Sequence, residues 1–199
     1  MTRTVEFHYD FGSPNAYYSH CAIPQIEARQ NVKFEYVPIL LGGIFKATNN
    51  VSPAVSLQGV RNKGEYSQLE TKRWLLRYPV HAYEWNPHFP VNTLMLMRGA
   101  TYARNKPFYG AYVEAMFACM WATPKKMDEP DVFAAALAEH QLPAEEILAA
   151  IQTPEVKQAL VHATSDSVER GAFGSPTFFL DGEIFFGKEK LRDIEDLLA

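Results

Sequence analysis

The chain has 199 residues, of which 47% are hydrophobic and 21% charged, and its formal net charge is -4. This composition is typical of an ordinary soluble globular enzyme and excludes a mostly disordered chain. Lysine and arginine form no basic stripe, and no apolar run has the length of a signal peptide or a membrane span. We therefore expect a cytoplasmic protein that binds neither nucleic acid nor membrane.

The first elements along the chain are a strand, a helix and a second strand. Residues 4–9 alternate between polar and apolar or aromatic side chains, which predicts a strand. Ser13 is a suitable N-cap, and Pro14 suits the first position of a helix that should end at Asn31. Residues 32–37 then predict a second strand.

Strand signals are missing from residue 39 to residue 171, where helical patterns take over. Most of the many prolines in this region fall at predicted helix starts or in connections. The predicted helices span residues 65–77, 92–104, 108–121, 131–140, 144–151 and 154–170.

Strand character returns at residues 177–180. The pair Asp181-Gly182 is a strong signal for a two-residue hairpin leading into a strand at residues 183–186. A final helix follows, with leucine and isoleucine spaced to pack on the sheet.

The order βαβ, a block of helices, then ββα is the topology of a thioredoxin-like α/β fold with a large all-helical insertion. We predict that residues 1–40 and 172–199 form the thioredoxin-like domain and that residues 41–171 form the insertion. Ser13 and Ala16 then occupy the two cysteine positions of a redox-active dithiol. This substitution argues against thiol-disulfide oxidoreductase activity.

Ser13 is the first candidate for chemistry. A hydroxyl at a helix N-terminus can donate a hydrogen bond to a thiolate, and the helix amides add partial positive charge. Each unit by which such a site lowers the pKa of a bound thiol corresponds to about 1.36 kcal/mol. No His or Lys in the local run can take the proton of Ser13, so we expect a hydrogen-bond donor and not a nucleophile.

Ser175-Pro176 is the second candidate, because a proline at the mouth of a strand is commonly cis in thioredoxin-like proteins. In that geometry Ser175 presents its backbone N–H and C=O to an extended, peptide-like ligand. An aromatic-rich stretch is the first place to expect a slot for a planar substrate. Its candidate residues are Trp74, Tyr83, Trp85, His88 and Phe89.

The remaining candidates for metal or thiol chemistry are weak. Cys21 and Cys119 form no Cys-x-x-Cys motif and are interpreted as buried, inert thiols. The six histidines show no metal-binding spacing, so we expect no metal site.

The chain resembles the 2-hydroxychromene-2-carboxylate isomerases, which are related to kappa-class glutathione transferases and to periplasmic disulfide oxidoreductases of the DsbA type. The matching runs cover nearly the whole chain. They are Asp10 to Tyr17, Asn50-Val51-Ser52-Pro53, Lys63 with Tyr66 and Arg73-Trp74, Phe89 to Thr93, and Phe173 to Phe178.

The resemblance implies glutathione as the cofactor, with its thiol beside Ser13 and its backbone along the segment that precedes Pro176. It further implies contacts to glutathione from Asn50 and Lys63, a small aromatic substrate between the two subdomains, and a homodimer. Relatives hold the γ-glutamyl end with a small polar residue and an aspartate at the start of the last helix. Here Lys188 and Glu189 occupy those positions, and Lys188 is expected to pair with the glutamyl carboxylate.

By this resemblance, the first hypothesis is a glutathione-dependent isomerase of aromatic catabolism. It would interconvert 2-hydroxychromene-2-carboxylate and trans-o-hydroxybenzylidenepyruvate by reversible thiolate addition, bond rotation and elimination. The second hypothesis is a kappa-like glutathione transferase. The third is a non-catalytic thioredoxin-like module that binds extended peptides.

Overall fold

A computed structural model describes residues 3–80 and 82–199; residues 1, 2 and His81, which belong to the predicted domains, lie outside the described residues. Its sheet is built from β1 (Thr4–Tyr9), β2 (Lys33–Pro38), β3 (Thr177–Leu180) and β4 (Glu183–Phe186), in the spatial order β2-β1-β3-β4. β1 runs parallel to β2 and antiparallel to β3, which pairs antiparallel with β4. The predicted thioredoxin-like α/β fold is confirmed.

The described helices lie between and after these strands. They are α1 (Pro14–Gln30), α2 (Leu41–Thr48), α3 (Pro53–Ser56), α4 (Lys63–Arg77), α5 (Leu94–Ala103), α6 (Tyr109–Trp121), α7 (Pro130–Glu139), α8 (Ala144–Ala150), α9 (Pro154–Glu169) and α10 (Leu191–Leu198). A short 3-10 turn at Lys188–Lys190 precedes α10. Within residues 3–80 and 82–199, none of these helices combines the length and apolar character that crossing a bilayer requires.

Two helices, α2 and α3, were not predicted from the sequence. α2 contains Gly42 and Gly43, whose conformational freedom lowers helix propensity, and its N-cap residue Leu40 makes no side-chain cap. Asn49, in the left-handed conformation, ends the helix. Packing of α2 against α9 stabilises this helix, which its local sequence favours only weakly.

The core is formed around β1 and its neighbours. Val5, Phe7 and Tyr9 are fully buried on one face of β1, and the ring of Phe7 stacks on that of Phe178 with centroids 5.2 Å apart. The indole nitrogen of the buried Trp121 donates to the carbonyl of Phe11 at 2.7 Å. The turn that follows β1 is therefore fixed from the helical side of the molecule.

An ion pair lies on the opposite face of β1. Arg170, just after α9, donates two hydrogen bonds to the carboxylate of Glu6, at 2.7 and 2.8 Å. These bonds lower the pKa of Glu6 from 4.5 to about 2. Burial lowers the pKa of the neighbouring His8, whose ring nitrogens lie 3.0 Å from Glu6 and from Ser167.

Candidate active site

A cavity of about 870 Å³ opens where the end of β1, the start of α1 and the loop before β3 meet the inserted helices. Its size is in the range of small-molecule sites. The lining residues on the sheet side are Asp10, Gly12, Ser13, Pro14, Asn15, Phe173, Gly174, Ser175 and Phe186. On the helical side they are Leu40, Leu41, Gly42, Phe45, Asn50, Ser52, Pro53, Leu57, Gln58, Lys63, Gly64, Ser67, Trp85, Phe89, Pro90, Val91, Asn92, Thr93 and Leu94.

Ser13 lies on the cavity wall as the N-cap of α1, with Pro14 at the first helical position. Its hydroxyl oxygen accepts a hydrogen bond from the backbone N–H of Ala16 at 3.2 Å and donates to the carbonyl of Ser175 at 2.9 Å. The hydroxyl proton therefore points across the gap between α1 and the loop before β3. A thiolate placed there would have to replace the Ser175 carbonyl as the acceptor of the hydrogen bond that the Ser13 hydroxyl donates.

The peptide bond between Ser175 and Pro176 is cis, as predicted. The hydroxyl of Ser175 accepts from the backbone N–H of Asp10 at 3.1 Å. Within the described part of the chain, the backbone N–H of Ser175 donates to no other group. Ser175 and Ser13 both line the cavity, whereas Pro176 itself is not among the lining residues.

Asn50 and Lys63 both line the cavity on its helical side. The amide of Asn50 is already engaged, because it donates to the carbonyl of Phe173 at 2.8 Å and accepts from the N–H of Val51 at 2.8 Å. Lys63 begins α4 and is exposed, and no carboxylate in residues 3–80 and 82–199 lies within ion-pair distance of its ammonium group. Asn50 thus shapes the wall, while Lys63 offers a positive charge at the rim.

The aromatic stretch divides into two groups. Trp85 and Phe89 line the cavity, with ring centroids 5.0 Å apart, and Trp85 is 54% exposed. Trp74, Tyr83 and His88 do not line it, so our expectation for these three is corrected.

These three side chains lie in other parts of the molecule. Trp74 is 1% exposed and packs on Tyr78, with ring centroids 4.5 Å apart, on the buried face of α4. The ring of Tyr83 packs against Tyr18, with ring centroids 4.8 Å apart. His88 is exposed, but its side chain is not part of the cavity wall.

Lys188 and Glu189 also lie off the cavity wall, contrary to expectation. Lys188 is 4% exposed and forms an ion pair with Glu189, and its ammonium lies 5.9 Å from the centre of the Trp74 ring. The Lys188 side chain is thus directed into the packing between the 3-10 turn and α4. Sequence position alone could not show this direction.

Sequence reasoning missed Asp10 and Thr93 as parts of this wall. Asp10 is fully buried, and its carboxylate accepts hydrogen bonds from the N–H groups of Gly12 and Leu41 and from the hydroxyl of Thr93. Burial raises the pKa of Asp10, while these three hydrogen bonds act in the opposite direction. Both residues lie in the sequence runs that carry the family resemblance, Asp10 to Tyr17 and Phe89 to Thr93. These runs were therefore the sequence feature that pointed to them.

Phe173 and Phe186 were also missed. Their rings, with centroids 4.4 Å apart, lie at the mouth of the cavity, and each side chain is more than 40% exposed. Gly174 permits this arrangement, because a Cβ atom there would lie 2.7 Å from Cε2 of Phe186. The cavity therefore has aromatic side chains on both its sheet side and its helical side.

The protein's own thiols are not part of this cavity. Cys119 is buried and Cys21 is partly buried. Burial raises the pKa of Cys21 to about 11 and raises that of Cys119 as well, so both are poor nucleophiles at neutral pH. Within the described ranges, no group of three or more His, Cys, Asp or Glu side chains could hold a metal ion.

Curated proteins similar to this chain include isomerases and transferases. The 2-hydroxychromene-2-carboxylate isomerase of Sphingobium xenophagum is 25% identical, over an alignment covering 100% of this chain and 99% of that protein. Glutathione S-transferase kappa 1 of Homo sapiens is 26% identical, with 100% of this chain and 92% of that protein covered.

Solved structures with the same fold include one of a 2-hydroxychromene-2-carboxylate isomerase, with a TM-score of 0.82 and 22% identity over 98% of this chain and 94% of that one. A probable DsbA oxidoreductase from Streptomyces coelicolor has a TM-score of 0.72 and 18% identity, over 98% and 88% of the two chains. A family model described as a DSBA-like thioredoxin domain matches residues 4–199. The chain therefore belongs to the family of DSBA-like thioredoxin domains, and its resemblance to 2-hydroxychromene-2-carboxylate isomerases and kappa-class glutathione transferases is confirmed.

Proposed function

We propose that this protein is a glutathione-dependent isomerase that interconverts 2-hydroxychromene-2-carboxylate and trans-o-hydroxybenzylidenepyruvate. One observation carries the proposal: the cavity is lined by Ser13, whose hydroxyl caps α1, and by Ser175, whose backbone N–H donates to no group in the described part of the chain. A peptide thiol needs both features. The N–H holds its backbone, and the hydroxyl with the helix amides stabilises its sulfur anion.

The described lining residues offer a partner for the backbone of a tripeptide and a partner for one of its two carboxylates. The N–H of Ser175 is a donor without an acceptor in the described chain, and Lys63 is a cation without a carboxylate partner there. Lys63 can pair with a carboxylate at the rim. Asn50 fixes the loop that carries Phe173, next to the peptide-binding segment.

Opening of the hemiketal breaks its ring C–O bond and gives the cis open-chain enone. Bound glutathione would supply a thiolate that adds to the conjugated carbon of this enone, which moves the double-bond electrons onto the carbonyl oxygen as an enolate. After rotation about the resulting single bond, collapse of the enolate would expel the thiolate and give the trans isomer. The role of Ser13 is to turn its proton from the Ser175 carbonyl towards the sulfur. The released carbonyl of Ser175 then becomes an acceptor for the ligand's backbone N–H. Ser13 donates and orients throughout, and its own proton is never transferred.

The aromatic substrate would enter between the two aromatic sides of the cavity. Trp85 and Phe89 on the helical side, and Phe173 and Phe186 on the sheet side, offer ring faces and edges to a planar bicyclic compound.

The test is the interconversion followed by absorbance, with and without reduced glutathione. Turnover that requires glutathione, and that falls in a Ser13→Ala variant, supports the proposal. Turnover that is independent of glutathione, or no turnover by a protein that binds glutathione, contradicts it. A Ser19→Ala variant is a suitable control, because Ser19 is buried in α1 but off the cavity wall.

A kappa-like glutathione transferase is the second candidate, favoured by the similarity to the human and rat kappa enzymes. The same thiolate would then attack an electrophile and remain attached to it. Product analysis separates the two functions, since a transferase consumes glutathione stoichiometrically and an isomerase regenerates it. A peptide-binding module would show neither activity.

We also propose that the protein is a homodimer, as the resemblance implies. The helical region from α3 to α4 exposes several apolar side chains, including Val55 at 64% and Leu76 at 85%. A second copy covering these side chains would remove them from water. Sedimentation equilibrium tests the assembly, and a monomer at micromolar concentration would contradict it.

A further inference from the structure

We propose that Asp10 is a positioning residue that holds Ser13 in place by linking three segments of the chain that line the cavity. This inference rests on the proposed function, because it concerns the same thiol site. Asp10 is not expected to touch glutathione or the aromatic substrate. It acts through the turn that carries Ser13.

The carboxylate of Asp10 joins three segments that are distant in sequence. Its Oδ1 atom accepts from the N–H of Gly12 at 2.8 Å and from the hydroxyl of Thr93 at 2.7 Å. Its Oδ2 atom accepts from the N–H of Leu41 at 2.7 Å, at the start of α2. All three donor residues line the cavity.

The main chain of Asp10 extends the same network to the thiol site. Its carbonyl accepts from the N–H of Ser13 at 3.1 Å, and its N–H donates to the hydroxyl of Ser175 at 3.1 Å. Ser13 and Ser175 are in turn joined by their own hydrogen bond. A displacement of Asp10 would therefore move both partners of the proposed thiol site.

The side chain at this position has to be a carboxylate. Three donors converge on it at a fully buried position, where a donor left without an acceptor is costly. An asparagine of the same shape would present its NH₂ group to at least one of these donors. The residues in contact are packed closely, since a Cβ atom at Gly12 would lie 3.3 Å from Oδ1 of Asp10.

An effect on the bound thiol distinguishes this role from general stabilisation of the fold. Removing the negative charge of Asp10 would by itself favour a nearby thiolate and lower the pKa of the bound thiol. Displacing the Ser13 hydroxyl has the opposite effect. Because the Ser13 hydroxyl would contact the sulfur directly and Asp10 would not touch glutathione, we expect the second effect to be larger, so that the pKa of bound glutathione rises in Asp10→Asn.

The experiment titrates the ultraviolet absorbance of thiolate in protein saturated with glutathione, for wild type, Asp10→Asn and Thr93→Val. Thr93→Val removes one donor to Asp10 and keeps its charge, so it also tests the proposal if Asp10→Asn does not fold. Thr164→Val is the matched control. Thr164 accepts from the N–H of Leu40 at 3.0 Å, so its loss disturbs the same end of α2 without touching the Ser13 turn.

A double-mutant cycle with Ser13→Ala gives a second readout. If Asp10 acts through Ser13, kcat falls by about 10-fold in Asp10→Asn, and the double variant is no slower than Ser13→Ala alone. The control pair Thr164→Val and Ser13→Ala should combine additively.

The outcomes separate the two proposals. A wild-type protein that binds no glutathione overturns the proposed function and this inference with it. Binding with a thiol pKa that is unchanged or lowered in both Asp10→Asn and Thr93→Val overturns the inference alone. Additive losses for Asp10→Asn and Ser13→Ala do so as well.

Discussion

The polar residues around Ser13 and the side chains at the helical rim of the cavity differ in how firmly they are held. On the sheet side, Asp10, Ser13 and Ser175 are all at most 9% exposed and are joined to one another by hydrogen bonds. On the helical side, Trp85 is 54% exposed, and Lys63 has no carboxylate partner among the described residues.

This difference suggests a division of labour. The buried network can fix a sulfur anion in advance, so that little reorganisation is needed during the reaction. The exposed side chains of the helical side can adapt to the shape of a second substrate. Variants on the sheet side should therefore affect the chemical step, and variants on the helical side should affect substrate binding.

The largest effect is expected for Ser13→Ala on the sheet side. The variant removes the proposed donor to the thiolate, and we expect kcat to fall by about 100-fold, with a higher pKa of bound glutathione. Initial rates and ultraviolet titration measure the two quantities. A loss confined to KM would show that the firmly held side contributes only to binding, and our distinction between the two sides would fail.

Trp85→Leu on the helical side comes next. It removes a large exposed ring from the cavity wall, and we expect KM for the aromatic substrate to rise by about 10-fold while the pKa of bound glutathione stays unchanged. Steady-state kinetics with varied aromatic substrate provide the measurement. His88→Leu, nearby but off the wall, is the control and should leave KM unchanged.

The dependence of stability on low pH tests how much the ion pair between Glu6 and Arg170 stabilises β1, the strand that leads into the sheet side of the cavity. The pKa of Glu6 is lowered from 4.5 to about 2 by Arg170, so its stabilisation is complete above pH 4.5 and is lost as the pH falls towards 2. Because Glu6 is partly exposed, we expect this loss to be about 1 kcal/mol.

Urea unfolding of wild type and Arg170→Gln across this pH range measures the effect. Between pH 4.5 and pH 2, the variant should lose less stability than wild type, by about 1 kcal/mol. Equal slopes in the two proteins would mean that the ion pair does not stabilise β1.

Lys63→Met should have the smallest effect. An exposed ion pair with a glutathione carboxylate contributes little, so we expect the Kd for glutathione to rise by about 3-fold, and less at high salt. Titration calorimetry at two salt concentrations gives the answer. Lys72→Met, on the same helix but off the cavity wall, is the control, and an equal change in both variants would argue against a specific contact.

The sequence predicted the site best where local rules apply. Ser13 caps α1 because serine followed by proline favours a helix start. This preference depends on the two residues themselves and not on the tertiary packing around them. The hairpin at Asp181-Gly182 formed for the same reason, with both residues at positive φ. The cis bond before Pro176 followed from its place at the mouth of a strand.

Prediction failed where side-chain direction or long-range packing decides. Lys188 follows β4 closely, yet its side chain is buried beside Trp74 and not in the cavity. α2 was missed because its two glycines weaken the local helix signal, while its packing against α9 was invisible in the sequence.

The sequence by itself determined the order of helices and strands along the chain, the N-cap at Ser13 and the absence of a Cys-x-x-Cys dithiol. Each of these depends on neighbouring residues or on composition. Only the tertiary structure decided that Asp10, Leu41 and Thr93 meet, and that Trp85 lines the cavity while Trp74 is buried. The physical reason is that hydrogen bonds and burial between distant segments depend on how helices and strands pack, and local periodicity carries no record of that packing.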